Sequence, residues 1–310
     1  MALGSNHVTK TTADKFIPEI WSDEIIAAYK QNLVAANLFS KMSFKGKKGD
    51  TLHIPKPTRG AASVKAASTQ VTLIAATETE QQVAIDKHYE YSRLIEDIVE
   101  TQALASLRKF YTDDAGYALA KQVDTDLIQL GRAVGSGTAY STANASTNAF
   151  IGSNGTTVYN SSSSNAAALA DAGIRRSIQR LDDADVPMTD RCLIIPPTTR
   201  STLMGLARFT EQAFVGEVSN ANTIRNGQVG DVYGVKVYVT TNADSGAGNS
   251  GADRICLMAH KDAFVLAEQM GVRSQTQYKQ EYLGTLFTSD MLYGVAELRD
   301  SSAVALAVPA

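Results

Sequence analysis

A long run of regularly spaced apolar residues constrains the fold of this chain more than any other feature. Over roughly residues 93–131, apolar positions recur every three or four residues, which is the period of one helix face. The positions are Leu104, Leu107, Tyr111, Ala115, Leu119, Val123, Leu127 and Leu130. At 1.5 Å per residue, an unbroken helix here would be about 55 Å long. We therefore expect one continuous helix that supports several parts of the structure.

The segment before this helix, residues 44–92, predicts a long β-hairpin. A basic turn, FKGKKGDT, leads into a short strand, LHIPKP, and a Thr/Val-rich strand returns after a loop of small residues. Pro55 and Pro57 cannot donate to a sheet ladder, so the first strand is expected to lie at an edge or to leave its sheet there. Isolated hairpins are at best marginally stable in water. Because its middle has few large apolar residues, this hairpin is expected to lie on another surface.

The remaining segments predict a mixed structure. Residues 135–165 are rich in Ser, Thr, Asn and Gly, which favours a surface excursion rather than core. An amphipathic helix is predicted over about 166–184, followed by a buried strand in VPMTDRCLIIPP. A short helix capped by Thr198 or Thr199 comes next. The last third is expected to be mostly β, with a possible helix start near 281–290.

A glycine-punctuated turn and strand, RNGQVGDVYGVKVYVTTN at 225–242, is the most individual motif of the chain. Its glycines permit tight turns or close backbone approach; they are Gly227, Gly230 and Gly234. Alternate residues of its strand are valines, which we expect to face the core: Val235, Val237 and Val239. The motif predicts structure and no chemistry.

Composition excludes some classes of function. The chain has 310 residues with 44% hydrophobic content, which is enough for one large domain or two modest ones. Its net charge of -3 argues against a protein that coats nucleic acid. Cys192 and Cys256 lie in apolar runs, which predicts buried free thiols. The sequence has no run of about 18 apolar residues, so no membrane partner is expected.

Motifs for catalysis or metal binding are absent from the sequence. No histidine has a second histidine within five residues, and no Gly-x-Ser-x-Gly elbow exists. GKKGDT has the composition of a phosphate-binding loop but leads into a strand, whereas that loop requires a helix after it. We therefore predict a protein that is not an enzyme and takes no cofactor or metal. An arm, an underpacked hairpin and a long helix instead favour burial between subunits.

Three segments resemble one known family, in an order that extends over about residues 15–308. RLDDADVPMTDRCLIIPP resembles its helix–VP–strand segment, IRNGQVGDVYGVKVYVTTN its glycine turn and strand, and LYGVAELRDSSAVAL its terminal strand pair. The family is the major capsid proteins of tailed bacteriophages with the HK97 fold. The resemblance implies an α+β fold with these parts: an N-terminal arm at 1–43, an extended loop at 44–92, a peripheral domain with the spine helix at 93–134 and 266–310, the low-complexity excursion at 135–165, and an axial domain at 166–265.

The resemblance also implies a function and partners. The chain would self-assemble as pentamers and hexamers into an icosahedral shell around double-stranded DNA, in the host cytoplasm, as part of the virion. No long charged coiled-coil prefix is present, so a separate scaffolding protein is expected, with a portal and possible cement protein. The predicted inter-subunit residues are basic or acidic loop and spine positions: Lys45, Lys47, Lys48, Asp50, Lys56, Arg59, Glu96, Asp97, Glu100, Asp113 and Asp114.

Three alternatives remain open at the level of sequence. A cellular nanocompartment shell of the encapsulin type would have the same fold and a different cargo. An α/β enzyme is compatible with the mixed core but lacks a set of catalytic residues. A monomeric surface-binding or fibre protein is compatible with residues 135–165, but the long helix is not typical of that class.

Overall fold

The computed structural model describes most of the chain from Val34 onward. The described residues are 34–46, 48–56, 60–71, 73, 79–98, 107–135, 145–161, 163, 165–206, 230–246 and 253–310. Most of the predicted N-terminal arm, the glycine at 227 and the start of the long apolar stripe at Leu104 lie outside them. Among the described helices, none is long and apolar enough to cross a membrane.

The described residues form helices and strands with the following bounds. The helices are α1 (Ala35–Leu38), α2 (Leu107–Gln129), α3 (Asp171–Asp183) and α4 (Pro197–Met204). The first strands are β1 (Ser40–Ser43), β2 (Thr51–Lys56), β3 (Thr79–Ala84), β4 (Lys87–Glu96), β5 (Ala145–Ile151), β6 (Val158–Asn160) and β7 (Arg191–Ile195). The later strands are β8 (Asp231–Val232), β9 (Val235–Val239), β10 (Ser245–Gly246), β11 (Asp253–His260), β12 (Phe264–Lys279), β13 (Gly284–Glu297) and β14 (Ala303–Pro309).

The strands form three sheets of different size. A four-stranded sheet has the order β1-β12-β13-β4, in which β1 runs parallel to β12 and the other pairs are antiparallel. An eight-stranded sheet has the order β6-β5-β14-β11-β7-β9-β8, with β10 paired to β11. The extended hairpin is a separate two-stranded sheet of β2 and β3. Pro55 therefore lies in an edge strand, as predicted.

The spine helix α2 connects the two larger sheets. Its apolar face packs in one cluster with residues of β12 and β13 from the smaller sheet and of β7 and β11 from the larger one. The buried positions of the predicted stripe are Ala115, Leu119, Val123 and Leu127. The helix spans 23 residues, or about 35 Å at 1.5 Å per residue. The prediction of a continuous face that supports several parts is confirmed over these residues.

The opposite face of the large sheet carries a second core. Ile174 and Leu181 of α3 pack there with Val235 of β9, and the partly buried Val237 and Val239 join the same cluster. Gly234 (φ +77°) follows Tyr233 (φ 52°) in the turn between β8 and β9, where two positive φ angles suit a tight hairpin. The alternation and the turn predicted for this motif are therefore confirmed.

Three expectations about secondary structure were wrong. Residues 93–96 continue strand β4 instead of starting the helix, and residues near 284–290 belong to β13 instead of a helix. Helix α4 has Pro196 at its N-cap and no side-chain cap, so neither threonine caps it. Thr199 is buried and lies 3.6 Å from the Cys256 sulfur.

The low-complexity segment 135–165 is not a simple surface excursion. Strands β5 and β6 lie at one end of the eight-stranded sheet, and Ala149 and Tyr159 are fully buried. Tyr159 donates a hydrogen bond to Asp253 at 2.7 Å. Burial and this carboxylate raise the pKa of the tyrosine well above its usual range. Small residues on the neighbouring strand β14, Ala305 and Ala307, make room for this packing.

The sheets also divide the chain differently from the predicted domains. The predicted peripheral domain, with residues 266–310, includes strand β14. This strand instead pairs with β11 and β5 in the sheet that contains β7 and β9. The final strand therefore leaves the spine-helix sheet and completes the larger one.

The two cysteines are buried and unpaired, as predicted. Cys192 and Cys256 are free thiols inside the large sheet. Burial raises the pKa of each thiol to about 12. Both side chains are therefore protonated and unreactive at neutral pH.

Candidate inter-subunit surface

The base of the extended hairpin packs on the four-stranded sheet of its own chain. Val83 of β3 is fully buried against Val265 and Ala267 of β12. Leu52 and Ile54 of β2 pack against the same cluster. These contacts place the hairpin base on one face of the four-stranded sheet, while α2 covers the other face.

Polar contacts secure the same base. The Ile85 N–H donates to the Asp50 carbonyl at 2.8 Å. The Gln269 side-chain amide donates to the Gly49 carbonyl at 2.9 Å. Lys45 lies 3.7 Å from Glu268, an exposed pair that contributes little by itself. Together these contacts fix where the hairpin leaves the sheet.

The hairpin tip, defined here as residues 60–71 and 73, has the opposite character. Every tip residue is exposed. Val64 is 101% exposed, Leu73 89% and Val71 63%. Apolar side chains in a projecting segment contribute no core to their own subunit, so they are available for burial against another surface.

The predicted basic residues are placed around this hairpin. Lys48 and Lys56 are exposed, and Lys45 is exposed beside Glu268. Asp50 is also exposed, and its carboxylate accepts a hydrogen bond from Thr51 at 3.3 Å. Lys47 and Arg59 lie outside the described residues. Three of the predicted lysines and Asp50 therefore lie on or next to the described hairpin strands.

The predicted acids are divided between β4 and α2. Glu96 ends strand β4, and Asp97 follows it and accepts a hydrogen bond from Tyr278 at 2.8 Å. This bond raises the pKa of the Tyr278 hydroxyl. Asp113 is exposed on α2. Glu100 lies outside the described residues.

Asp114 belongs to a small cluster that joins α2 to β4. It accepts a hydrogen bond from the Tyr91 hydroxyl at 2.9 Å, and that hydroxyl accepts one from Arg93 at 2.9 Å. The Arg93 guanidinium lies 4.9 Å from the Tyr111 ring centroid, within the range of a cation–π contact. Burial and Asp114 raise the pKa of Tyr91. Asp114 therefore has a structural contact within its own subunit.

Two buried acids of α2 were missed by sequence reasoning. Asp124 is fully buried, and one of its oxygens accepts the backbone N–H groups of Val34 at 3.0 Å and Ala35 at 2.6 Å. Its other oxygen accepts from the Asn242 amide at 2.9 Å. One carboxylate therefore joins the arm, the spine helix and the turn after β9.

Asp126 makes a similar junction between α2 and the four-stranded sheet. It accepts a hydrogen bond from the buried Tyr293 hydroxyl at 2.7 Å and lies 3.1 Å from the Lys87 ammonium. The Gln122 amide donates to it at 3.0 Å. Burial, together with the carboxylate, raises the pKa of Tyr293 far above its usual range. The sequence held one indication that Asp124 and Asp126 are buried: each is next to a residue of the apolar stripe, Val123 or Leu127.

An acidic pair lies where β13 ends. One carboxylate oxygen of Glu297 is buried without a hydrogen-bond partner. Burial, followed by the neighbouring charge and hydrogen bond of Asp300, raises the pKa of Glu297 to about 7. The folded protein therefore binds a proton here more tightly than the unfolded chain does.

This shift predicts a pH dependence of stability. Because the folded pKa is raised, the contribution of Glu297 is complete below about pH 4.5 and is lost as pH rises through about 7. At pH 8, the free energy of unfolding of the variant E297Q should therefore be higher than that of wild type, by about 2 kcal/mol after allowance for partial exposure. Denaturant titrations at pH 5 and pH 8 measure this. An equal difference at both pH values would contradict the assignment.

Metal-binding side chains were sought among the described residues. Within the described ranges, no group of three or more His, Cys, Asp or Glu side chains could hold a metal ion. The hairpin base and the spine-helix junctions are held by contacts within the subunit, whereas the described tip residues are exposed.

Comparison with known proteins gives the family. Phage capsid proteins match residues 21–306, so the chain belongs to the phage capsid protein family. Its fold is an α+β, HK97-like fold, and the chain is a capsid component of the virion that self-assembles into shells. Comparison with curated protein sequences gives no match.

Solved structures support the same fold. The structure designated Mycobacterium phage Che8 has a TM-score of 0.74 at 22% identity, covering 94% of this chain and 97% of that chain. The capsid of cyanophage P-SCSP1u has a TM-score of 0.75 at 19% identity, covering 99% and 96% respectively. The cyanophage Pam1 capsid has a TM-score of 0.73 at 14% identity, covering 99% of both chains. These likenesses establish the fold over nearly the whole chain.

Proposed function

We propose that this chain is the major capsid protein that forms pentamers and hexamers in the icosahedral shell of a tailed phage, around double-stranded DNA. The observation that carries the proposal is the extended hairpin, whose base is buried on its own subunit and whose tip is exposed. A fixed base with an apolar, exposed tip suits a contact with a neighbouring copy. The shell, rather than the single subunit, would then bury the tip.

The domain roles would be divided between the two larger sheets. The four-stranded sheet with α2 would form the peripheral domain, and the eight-stranded sheet with α3 and α4 the axial domain near the five- and six-fold axes. The described residues thus support moving β14 into the axial domain. The weakly acidic chain, with a net charge of -3, suits a shell that holds DNA without strong adhesion.

Further partners belong to the same proposal. A separate scaffolding protein would direct assembly in the host cytoplasm, a portal would occupy one vertex, and a cement protein could bind the finished shell. The proposed function is assembly, which requires neither catalysis nor a cofactor.

The basic residues would meet acids on the neighbouring subunit. Lys45 and Lys48 flank the hairpin base, and Lys56 ends β2. Lys47 and Arg59 belong to the same basic segment of the sequence. Candidate acids are Glu96, Glu100 and Asp113, together with the tyrosine-bonded Asp97 and Asp114. Each exposed pair would contribute about 0–1 kcal/mol, so the effect depends on repetition around the shell.

Charge reversal tests this electrostatic role. The double variant K47E/K48E should assemble less than wild type at low salt, because repulsion replaces attraction. The difference should shrink as salt rises, because the screening length falls from about 10 Å at 0.1 M to about 3 Å at 1 M. Light scattering across a salt series measures it, with the exposed Lys261→Glu as control. An assembly defect independent of salt would argue against an electrostatic contact.

Expression of the chain alone and with a scaffolding protein tests the function itself. Size-exclusion chromatography with mass measurement should find species of five or six 33.1 kDa chains, and negative-stain microscopy should find closed shells. Monomers under every assembly condition would overturn the proposal.

A further inference from the structure

Where the base of the extended hairpin packs on β13, successive β13 residues lie on opposite faces of the four-stranded sheet. Tyr293 and Val295 contact the core beneath the spine helix. Ala296 lies on the other face and packs against the cluster of Val83, Val265 and Ala267. Gly294, between Tyr293 and Val295, therefore lies on the hairpin side, directly beside Ala267 in the β12–β13 register.

Gly294 is in contact with the backbone of the hairpin base. A Cβ placed on Gly294 would overlap the carbonyl oxygen of Ala84 and lie 3.0 Å from the Ala84 carbonyl carbon and 3.1 Å from the Ile85 Cα. These are backbone atoms, which cannot rotate away as a side chain does. Any side chain at position 294 must therefore lift or rotate the end of β3.

The surrounding contacts convert a local shift into a change of direction. The Ile85 N–H is bonded to Asp50, so the two arms of the hairpin move together at its base. The tip extends from this base, and all its described residues are exposed. No tip residue belongs to the buried cluster that holds the base. A small rotation at Ala84 would therefore be amplified along the hairpin.

We propose that Gly294 is a positioning residue that sets the angle at which the extended hairpin leaves its subunit, and thereby aims the tip at the neighbouring copy of this chain. The absence of a side chain lets the hairpin backbone lie directly on β13. This inference rests on the proposed shell function for its consequence, but the hairpin angle itself can be measured in unassembled subunits.

A matched pair of glycine variants tests the angle. G294A introduces the backbone overlap, whereas G271A places a Cβ in the same sheet with only the end of the Lys45 side chain nearby, 3.1 Å from its Nζ. Spin labels at K65C on the tip and A120C on α2, both exposed positions, report the distance between hairpin and body. The native thiols are buried and would remain unlabelled.

In unassembled subunits, G294A should shift the maximum of the distance distribution away from that of wild type, while G271A should leave it unchanged. An unchanged distribution in G294A would overturn the proposal. Failure of G294A to fold where G271A folds would assign the glycine to subunit folding and would also overturn it.

Assembly measures the consequence separately. Under conditions in which wild type forms shells, G294A should give few or irregular shells and G271A normal ones. Regular shells from a G294A protein with a shifted hairpin would overturn the aiming role. Failure of wild type to assemble would count against the proposed function, while the distance measurement would still test the angle.

Discussion

Removal of the hairpin tip is expected to abolish closed shells while leaving the subunit folded. In the variant, residues 57–78 are replaced by Asn-Gly. Lys56 and Thr79 form the last described pair between β2 and β3, and Asn-Gly suits a two-residue hairpin turn. The buried anchors Leu52, Ile54 and Val83 are retained. The described residues of the removed segment, 60–71 and 73, are exposed, so their loss should change the free energy of unfolding little.

Circular dichroism and thermal unfolding measure whether the subunit stays folded, and electron microscopy measures whether closed shells form. A variant of unchanged length, V64S/V71S/L73S, serves as the companion and tests whether apolar burial at the tip is required. It should assemble less than wild type, because burial of apolar surface contributes about 25 cal/mol per Å². Normal closed shells from the tip deletion would refute the role given to the hairpin.

Replacement of Asp124 by alanine is expected to destabilise the subunit more than the surface variants considered above. The change leaves the buried N–H groups of Val34 and Ala35 without their acceptor, and each unsatisfied buried donor costs about 1–3 kcal/mol. We expect the free energy of unfolding to fall by about 3 kcal/mol. Denaturant unfolding measures this, and hydrogen exchange should show lost protection at Val34 and Ala35.

A second acid of the same helix provides the control. Asp113 is exposed, so D113A should change stability by no more than about 0.5 kcal/mol. Equal effects of D124A and D113A would show that the buried junction does not stabilise the arm.

Periodicity predicted the parts of the fold that depend on one strong local pattern. The spine helix has an apolar residue at every turn, and the strand after Gly234 alternates valine with polar residues, so burial follows directly from the sequence. The start of the helix did not follow in this way. Residues 87–96 contain apolar and aromatic residues compatible with either structure, and a ten-residue ladder with β13 makes them a strand.

Composition misled where pairing partners were distant in sequence. Residues 145–160 contain small polar residues typical of loops, but β14 supplies a parallel partner for β5, and Asp253 accepts from Tyr159. Neither partner can be identified from the segment itself. Tertiary pairing therefore overrode a correct local description.

Residue type alone could not distinguish the exposed acids of α2 from those that bond to other elements of the same chain. Asp113 is exposed, whereas Asp114, one residue later, is bonded to Tyr91, and Asp124 is fully buried. The distinction depends on which helix face meets the arm and β4. The inter-subunit roles of the predicted residues stay predictions, because they concern contacts with a second chain.

Cryo-electron microscopy of assembled shells at side-chain resolution tests the central claim most directly. The account predicts closed shells in which the hairpin tip, with Val64, Val71 and Leu73, is buried against a neighbouring subunit while Val83 stays on its own sheet. Closed shells in which the tip is solvent-exposed, or folded back on its own subunit, would contradict it.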